Sequence, residues 1–213
     1  ILAIAAQGAH ALPVATALTC QDNNRVFEAY PVDAGLVARQ AAPLVAAFDI
    51  RAVKLGIPGN AANAAAIAAI IRDLRARQPD LPVVLDPVLA SGNGDALAAG
   101  DALAAIAPLL ALATLATPNL PEAAALYQQA LHLSAEAFEG WFNLGHTHHD
   151  AGRFGEAVRC YGRALELDPG SADACFYLAV AYEKLGRSQD ARPHWQQYQR
   201  LAPDGEWIAL ARE

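Results

Sequence analysis

Four polar residues stand where short apolar runs give way to helix-forming stretches, and their types suit hydrogen-bonding and charge-handling chemistry. Gln21 closes the run in TALTCQDN (16–23). Its amide presents a donor and an acceptor together, which suits a ligand edge offering both in return; the plainer reading is a polar residue ending a strand. Asp86 ends the run in VVLDPV. A carboxylate there can orient a metal-bound water or a phosphoryl group, although Asp-Pro also opens turns. In TPNLPEA (117–123), Asn119 and Glu122 have the spacing of a capping box, with Pro121 in the first helical turn. SGNGD (91–95) invites a phosphate-cradle reading. It matches neither a P-loop nor a dinucleotide fingerprint, and reads as a turn. His146, His148, His149 and Asp150 cluster without an HExxH arrangement, so no metal site is expected there.

The elements that must position these residues change character midway. Strands are predicted over 12–19, 25–30, 52–56, 82–86 and 113–117, with helices around 34–47, 60–77 and 100–110. The opening ILAIAAQGAHALPVATALT lacks a basic leader and is interrupted by Gln7, Gly8, His10 and Pro13, so it reads as a short buried helix, a turn and a buried strand. Strands alternating with helices imply right-handed crossovers and an α/β fold, a mostly parallel sheet with helices on both faces. Functional groups then belong at the C-terminal ends of the strands.

Beyond residue 120 a longer period takes over. Trp141, Leu144, Gly145, Ala157, Tyr161, Ala164 and Pro169 recur about 34 residues later as Cys175, Leu178, Ala179, Ala191, Trp195, Tyr198 and Pro203, the spacing of tetratricopeptide (TPR) helical hairpins. Small residues let paired helices approach, aromatics fill the space between pairs, and the prolines stop each second helix. Ala123, Tyr127 and Ala130 fit the second helix of a preceding half repeat. The expected organisation is an α/β domain over 1–120, followed by an all-α region over 121–213. That region divides into a half repeat (121–137), repeats at 138–171 and 172–205, and a capping helix at 205–213. Glu122 and Ala123 satisfy both patterns, so one helix serves both halves without a linker.

Residues 1 to about 124 resemble the hydroxymethylpyrimidine/phosphomethylpyrimidine kinases of thiamin biosynthesis, which have a ribokinase-like fold. TALTCQDN, AVKLGIPG (52–59), VVLDPVLASGNGD (83–95) and TPNLPEA carry the resemblance, in the family's order and near its spacing. The resemblance implies ATP- and Mg2+-dependent phosphorylation of hydroxymethylpyrimidine or its phosphate. It also implies that Gln21 binds the pyrimidine ring, and that Asp86, Asn119 and Glu122 lie in the phosphate and magnesium region. The family's glycine-rich Gly-Ser-Asp-x-Ser-Gly-Gly-Ala-Gly segment has no counterpart in these 213 residues, nor do its Lys-Gly-Gly-His and His-Gly-Thr-Gly-Cys segments. The last supplies an anion hole and the proposed base, so no catalytic residue is assigned. Because one lost charge-stabilising donor costs about 10²–10³ in rate, a truncated, catalytically impaired kinase domain is expected. The chain contains no Met, which fits a start inside a domain.

The repeats imply a peptide groove on the first helix of each pair. It would be lined by Phe142, Asn143, His146 and His149, then Phe176, Tyr177, Val180 and Glu183, with Glu139 and Asp173 at its margins. Asn143 suits a two-carboxylate clamp, but Phe142 and Phe176 stand where lysine would be wanted, so a basic or aromatic-containing peptide is the expected ligand. A formal net charge of -7 with scattered Lys and Arg disfavours nucleic acid. Three separated cysteines without CxxC spacing favour reduced thiols in a cytoplasmic setting, and no membrane association is expected. The family and an incomplete sheet suggest a homodimer. Two functions follow: a pyrimidine kinase-like protein carrying a TPR interaction module, or a non-enzymatic TPR scaffold for a peptide or protein partner. ATP binding separates them.

Overall fold

The computed structural model describes residues 8–22, 25–89, 102–205 and 207. The opening helix over the first residues, the SGNGD turn and all but Gly205 and Trp207 of the capping helix lie outside the described residues. The chain divides into two compact units, Ile1–Pro118 and Asn119–Glu213.

The first unit begins with a two-stranded antiparallel ribbon, β1 (Ala17–Gln21) and β2 (Val26–Pro31). Next come α1 (Ala34–Ala47), β3 (Val53–Leu55), α2 (Ala61–Arg77), β4 (Val83–Leu85), α3 (Ala102–Leu110) and β5 (Leu115–Ala116). The last three strands form a separate parallel sheet in the order β3-β4-β5. Local chemistry sets the helix starts. Asp33 caps α1 by accepting from the Leu36 N–H, and Asn60 caps α2 by accepting from the Asn63 N–H. Arg75 and Arg77 sit in the last turn of α2, where cations oppose the helix dipole favourably.

Side chains alternate across β3 and β4, and among the described residues one face carries the core. Leu55, Val83 and Leu85 point into a single cluster with Val37 of α1, Ala64, Ile67, Ala68 and Ile71 of α2, and Leu109 of α3. Sequential strand order explains this: two successive right-handed crossovers in one direction place their helices on the same side. Lys54, Val84 and Leu115 line up across the other face, where Leu115 is 55% exposed. Among the described residues α1, α2 and α3 thus all contribute to this one cluster. The ribbon differs from expectation. The first strand starts later than 12, at Ala17, and is mostly exposed; Leu18 is 62% and its partner Tyr30 53% open to solvent.

The second unit is all helical: α4 (Leu120–Leu133), α5 (Phe138–Asp150), α6 (Phe154–Leu167), α7 (Ala172–Lys184) and α8 (Ser188–Leu201). Consecutive helices pack as antiparallel pairs, and the reason lies in the small positions of the repeat. A Cβ on Gly145 would stand 2.6 Å from Tyr161 Cε1, so only glycine lets α5 and α6 close over that fully buried ring. Ala157, Ala164, Ala179 and Ala191 are likewise fully buried. Tyr127 is half-buried against the cluster of Ala124, Leu131, Leu144 and Cys160 within this unit. All three cysteines are free, with Cys160 and Cys175 buried and Cys20 exposed. Among the described residues no helix is long and apolar enough to cross a membrane.

Candidate functional site

In the first unit the parallel strands deliver their C-terminal ends to one edge. The Gly56–Gly59 loop follows β3, Asp86 follows β4 and Thr117 follows β5. Backbone bonds tie the edge together, from Asp86 N–H to Leu55 O (2.9 Å) and from Thr117 N–H to Leu85 O (2.9 Å). Asp86 is half-open, and its Oδ2 lies 3.4 Å from Lys54 Nζ. An exposed pair of this kind contributes little to stability, so both groups remain available to a ligand.

Gln21 sits at the far end of β1, exposed, where a register shift between Cys20 and Gln21 sets it opposite Val26. The other end of that strand is anchored by residues the sequence reading missed. Thr16 Oγ1 donates to Ile57 O (2.6 Å), and the fully buried Asn63 donates through Nδ2 to Thr16 O (3.0 Å) and Pro58 O (2.9 Å). Gln40 of α1 holds Ala15 through both amide groups, accepting from its N–H and donating to its carbonyl. Gly59, at φ +90°, passes so close that a Cβ would stand 3.1 Å from Thr16 O. A polar residue in an Ala-rich helix reads as solvent-facing. The one available signal was Asn63 falling three residues after another helix-capping Asn.

Asn119 and Glu122 open α4 in the second unit. Asn119 Oδ1 accepts from the Glu122 N–H, and Glu122 Oε2 accepts from the Asn119 N–H, each at 2.9 Å. The capping box is complete, and Glu122 is only 5% exposed. One of its carboxylate oxygens is thereby committed to the helix start.

The face made by α5 and α7 is lined with aromatic rings. His146 meets Tyr177 edge-on at 4.2 Å and Phe142 at 4.5 Å, and its Nδ1 lies 3.3 Å from Tyr161 Oη. Burial lowers the His146 pKa, against the opposing pull of Asp150 and Asp173, and raises that of the Tyr161 phenol well above its usual range. Phe142, Asn143, His149, Tyr177 and Val180 are half-buried on this face, while Glu139, Asp173 and Glu183 are exposed. Phe176 is buried, covered by Trp195, Tyr198 and Trp207, so it supports the face from beneath. His149 lies on the same helix with Nδ1 3.6 Å from Asp150 Oδ1. His148 turns elsewhere, accepting from Arg153 Nε through Nδ1. Among the described residues no three metal-ligating side chains converge.

The chain is thus a parallel α/β unit with a carboxylate at its strand ends, followed by a unit of antiparallel helix pairs. The family model described as phosphomethylpyrimidine kinase matches residues 1–144, and the chain belongs to that family. A tetratricopeptide repeat model matches residues 142–206. The hydroxymethylpyrimidine/phosphomethylpyrimidine kinase of Mycobacterium bovis is 38% identical over 120 residues, covering 56% of this chain and 42% of that protein. Its Streptomyces coelicolor counterpart is 37% identical over 122 residues, covering 57% of this chain and 44% of the relative. The chain thus spans less than half the length of these relatives. A solved phosphomethylpyrimidine kinase from Clostridium difficile 630 aligns with 27% identity and a TM-score of 0.49, over 58% of this chain and 52% of the other.

Proposed function

We propose that the first unit binds hydroxymethylpyrimidine or its phosphate through the Gln21 amide, and that the second presents the α5–α7 face to a peptide partner. The observation that carries the first part is the anchored base of β1. Thr16, Asn63 and Gly59 tie that strand to the loop at the sheet's C-terminal edge, and Gln40 ties it to α1. Ligands of open α/β sheets bind at this edge, so a ring held by Gln21 would be addressed from the same platform that carries Asp86.

Members of this family use ATP and Mg2+. Of the four residues expected to serve them or the pyrimidine, Asp86 is the carboxylate best placed to support a hydrated Mg2+, which commonly keeps several waters and takes one or two protein carboxylates. Glu122 fits that task less well because its carboxylate completes the α4 cap. A bound magnesium nucleotide would supply charge neutralisation at the phosphates; this chain's own contribution would be to orient the ring.

Calorimetric titration with hydroxymethylpyrimidine tests the reading. Saturable heat from the unmodified chain is expected, with affinity at least tenfold weaker in Gln21→Ala. Equal affinity in the two proteins would refute the role of Gln21. Adding ATP and Mg2+ then reports whether a nucleotide joins the complex.

The interaction part rests on the half-buried aromatic row of Phe142, His146 and Tyr177, flanked by Glu139, Asp173 and Glu183. Cationic and aromatic side chains of a peptide suit such a surface. Loss of binding to an Arg- and Tyr-containing test peptide in Tyr177→Ala is the expected result.

A further inference from the structure

A second cleft in the repeat unit lies away from the aromatic face. Its walls are α4 and α6 and its floor is α5, and it encloses about 720 Å3. Leu131, Leu144 and Cys160 are buried along the bottom, with Trp141 half-buried beside them. The indole N–H of Trp141 is already spent on Ala135 O at 2.8 Å, so the ring offers the cleft an apolar surface. Burial pushes the Cys160 thiol up to about 11, and lowers the pKa of His148, which also lines the cleft. The floor is therefore uncharged near neutral pH.

The rim carries charge of one predominant sign. Arg159 and Arg163 project from consecutive turns of α6, and among the described residues Glu156 is the only carboxylate in the lining. Arg159 lies 3.8 Å from Glu156, and Arg163 bonds Glu166. Each guanidinium has five N–H donors in a planar fork, and one carboxylate neighbour leaves several of them for a ligand. This basic rim stands on a segment that is acidic as a whole, since residues 119–213 hold thirteen Asp and Glu against eight Lys and Arg. The cleft continues past Gln128 and His148 toward Arg153, which lines a smaller adjoining hollow. It thus runs most of the length of α4, about 20 Å at 1.5 Å per residue.

We infer that this cleft is a docking site for an acidic peptide segment with apolar side chains, held in extended form. The apolar side chains fill the floor over Leu131, Leu144 and Trp141, while carboxylates meet Arg159 and Arg163 at the rim. Charge complementarity carries the choice of partner. A basic segment, suited to the acidic margins of the α5–α7 face, would meet two arginines here. The repeat unit then has two binding surfaces of opposite preference on different faces of α5.

The test uses the full chain and two labelled octapeptides, one alternating glutamate with leucine and one alternating lysine with leucine, followed by fluorescence anisotropy. Binding of the glutamate peptide, with little of the lysine peptide, is expected. Affinity should fall at least tenfold in the double variant Arg159→Glu, Arg163→Glu and should be retained in Phe142→Ala. The neutral pair Arg159→Gln, Arg163→Gln should give a smaller loss in the same direction, and thermal melts verify that both pairs fold. Absence of binding, equal binding of the two peptides, or binding unchanged by either arginine pair would overturn the inference.

Discussion

Asn63 Nδ2 lies 3.0 Å from the carbonyl oxygen of Thr16, joining the first turn of α2 to the strand that leads into the ribbon. The same amide reaches Pro58 O at 2.9 Å, and Thr16 O also accepts from the Val32 N–H. Three segments distant in sequence thus meet at the Thr16 carbonyl. Replacing Asn63 by Ala leaves Pro58 O without this donor and Thr16 O with the Val32 N–H alone, with an expected cost of about 1–3 kcal/mol. Denaturant unfolding would measure that loss. Hydrogen exchange should show the sharpest loss of protection over residues 15–21 and the Gly56–Gly59 loop; a uniform loss across the first unit would instead assign Asn63 a general packing role.

Gly145 and Gly162 give opposite predictions from the same substitution. Alanine at 145 would drive its Cβ into the Tyr161 ring, which is fully buried and has nowhere to turn. Overpacking of this kind costs about 1–3 kcal/mol. Gly162 lies inside α6 with open space around its Cβ position, so alanine there should stabilise the helix by about 0.5–1 kcal/mol. Melting temperatures of the two variants, shifted in opposite directions from the parent, would check both.

The repeat half was legible because its spacing is itself the packing rule: Gly145 under Tyr161 is the contact that the recurring positions encode. The parallel strands and α1 were legible for a similar reason, since apolar runs alternating with helical stretches have few other solutions. Leu18, Phe27 and Tyr30 show where that logic fails. The run holding Leu18 reads as a buried strand, yet Leu18 and the two aromatic residues of its partner strand are all more than half exposed. An apolar run records what a strand could bury, not whether another layer covers it. Gln21 and Asp86 were singled out as candidates through their motifs, whereas Asn63 and Gln40 were passed over because their partners are backbone carbonyl and amide groups that no side-chain pattern announces.

Asn119 supplies a prediction that is independent of any ligand role. Asn119→Ala removes one arm of the capping box and should cost about 1 kcal/mol. Glu122→Gln keeps an acceptor for the Asn119 N–H and should cost less. If both residues act only at the helix start, neither variant will change affinity for hydroxymethylpyrimidine beyond the effect on folded fraction.

The histidines of the repeat unit set the direction of its acid response. Burial lowers the pKa of His146, His148 and His194 below the usual value of 6.5. For His148, Arg153 and Arg159 push the same way and Glu156 opposes them; for His146, Asp150 and Asp173 oppose. In the unfolded chain these imidazoles take a proton near pH 6.5, while in the folded chain they resist it, so between the two pKa values the unfolded state holds more protons. Their contribution to stability is therefore fully present above pH 6.5 and is lost as pH falls through the lowered folded values. Urea midpoints followed by Trp fluorescence should decline from pH 7.5 to pH 5.5. The decline should be shallower in His148→Tyr, because Tyr182 stands at the equivalent position 34 residues later and tyrosine does not protonate in this range. An equal slope in that variant would assign the acid response to the other histidines.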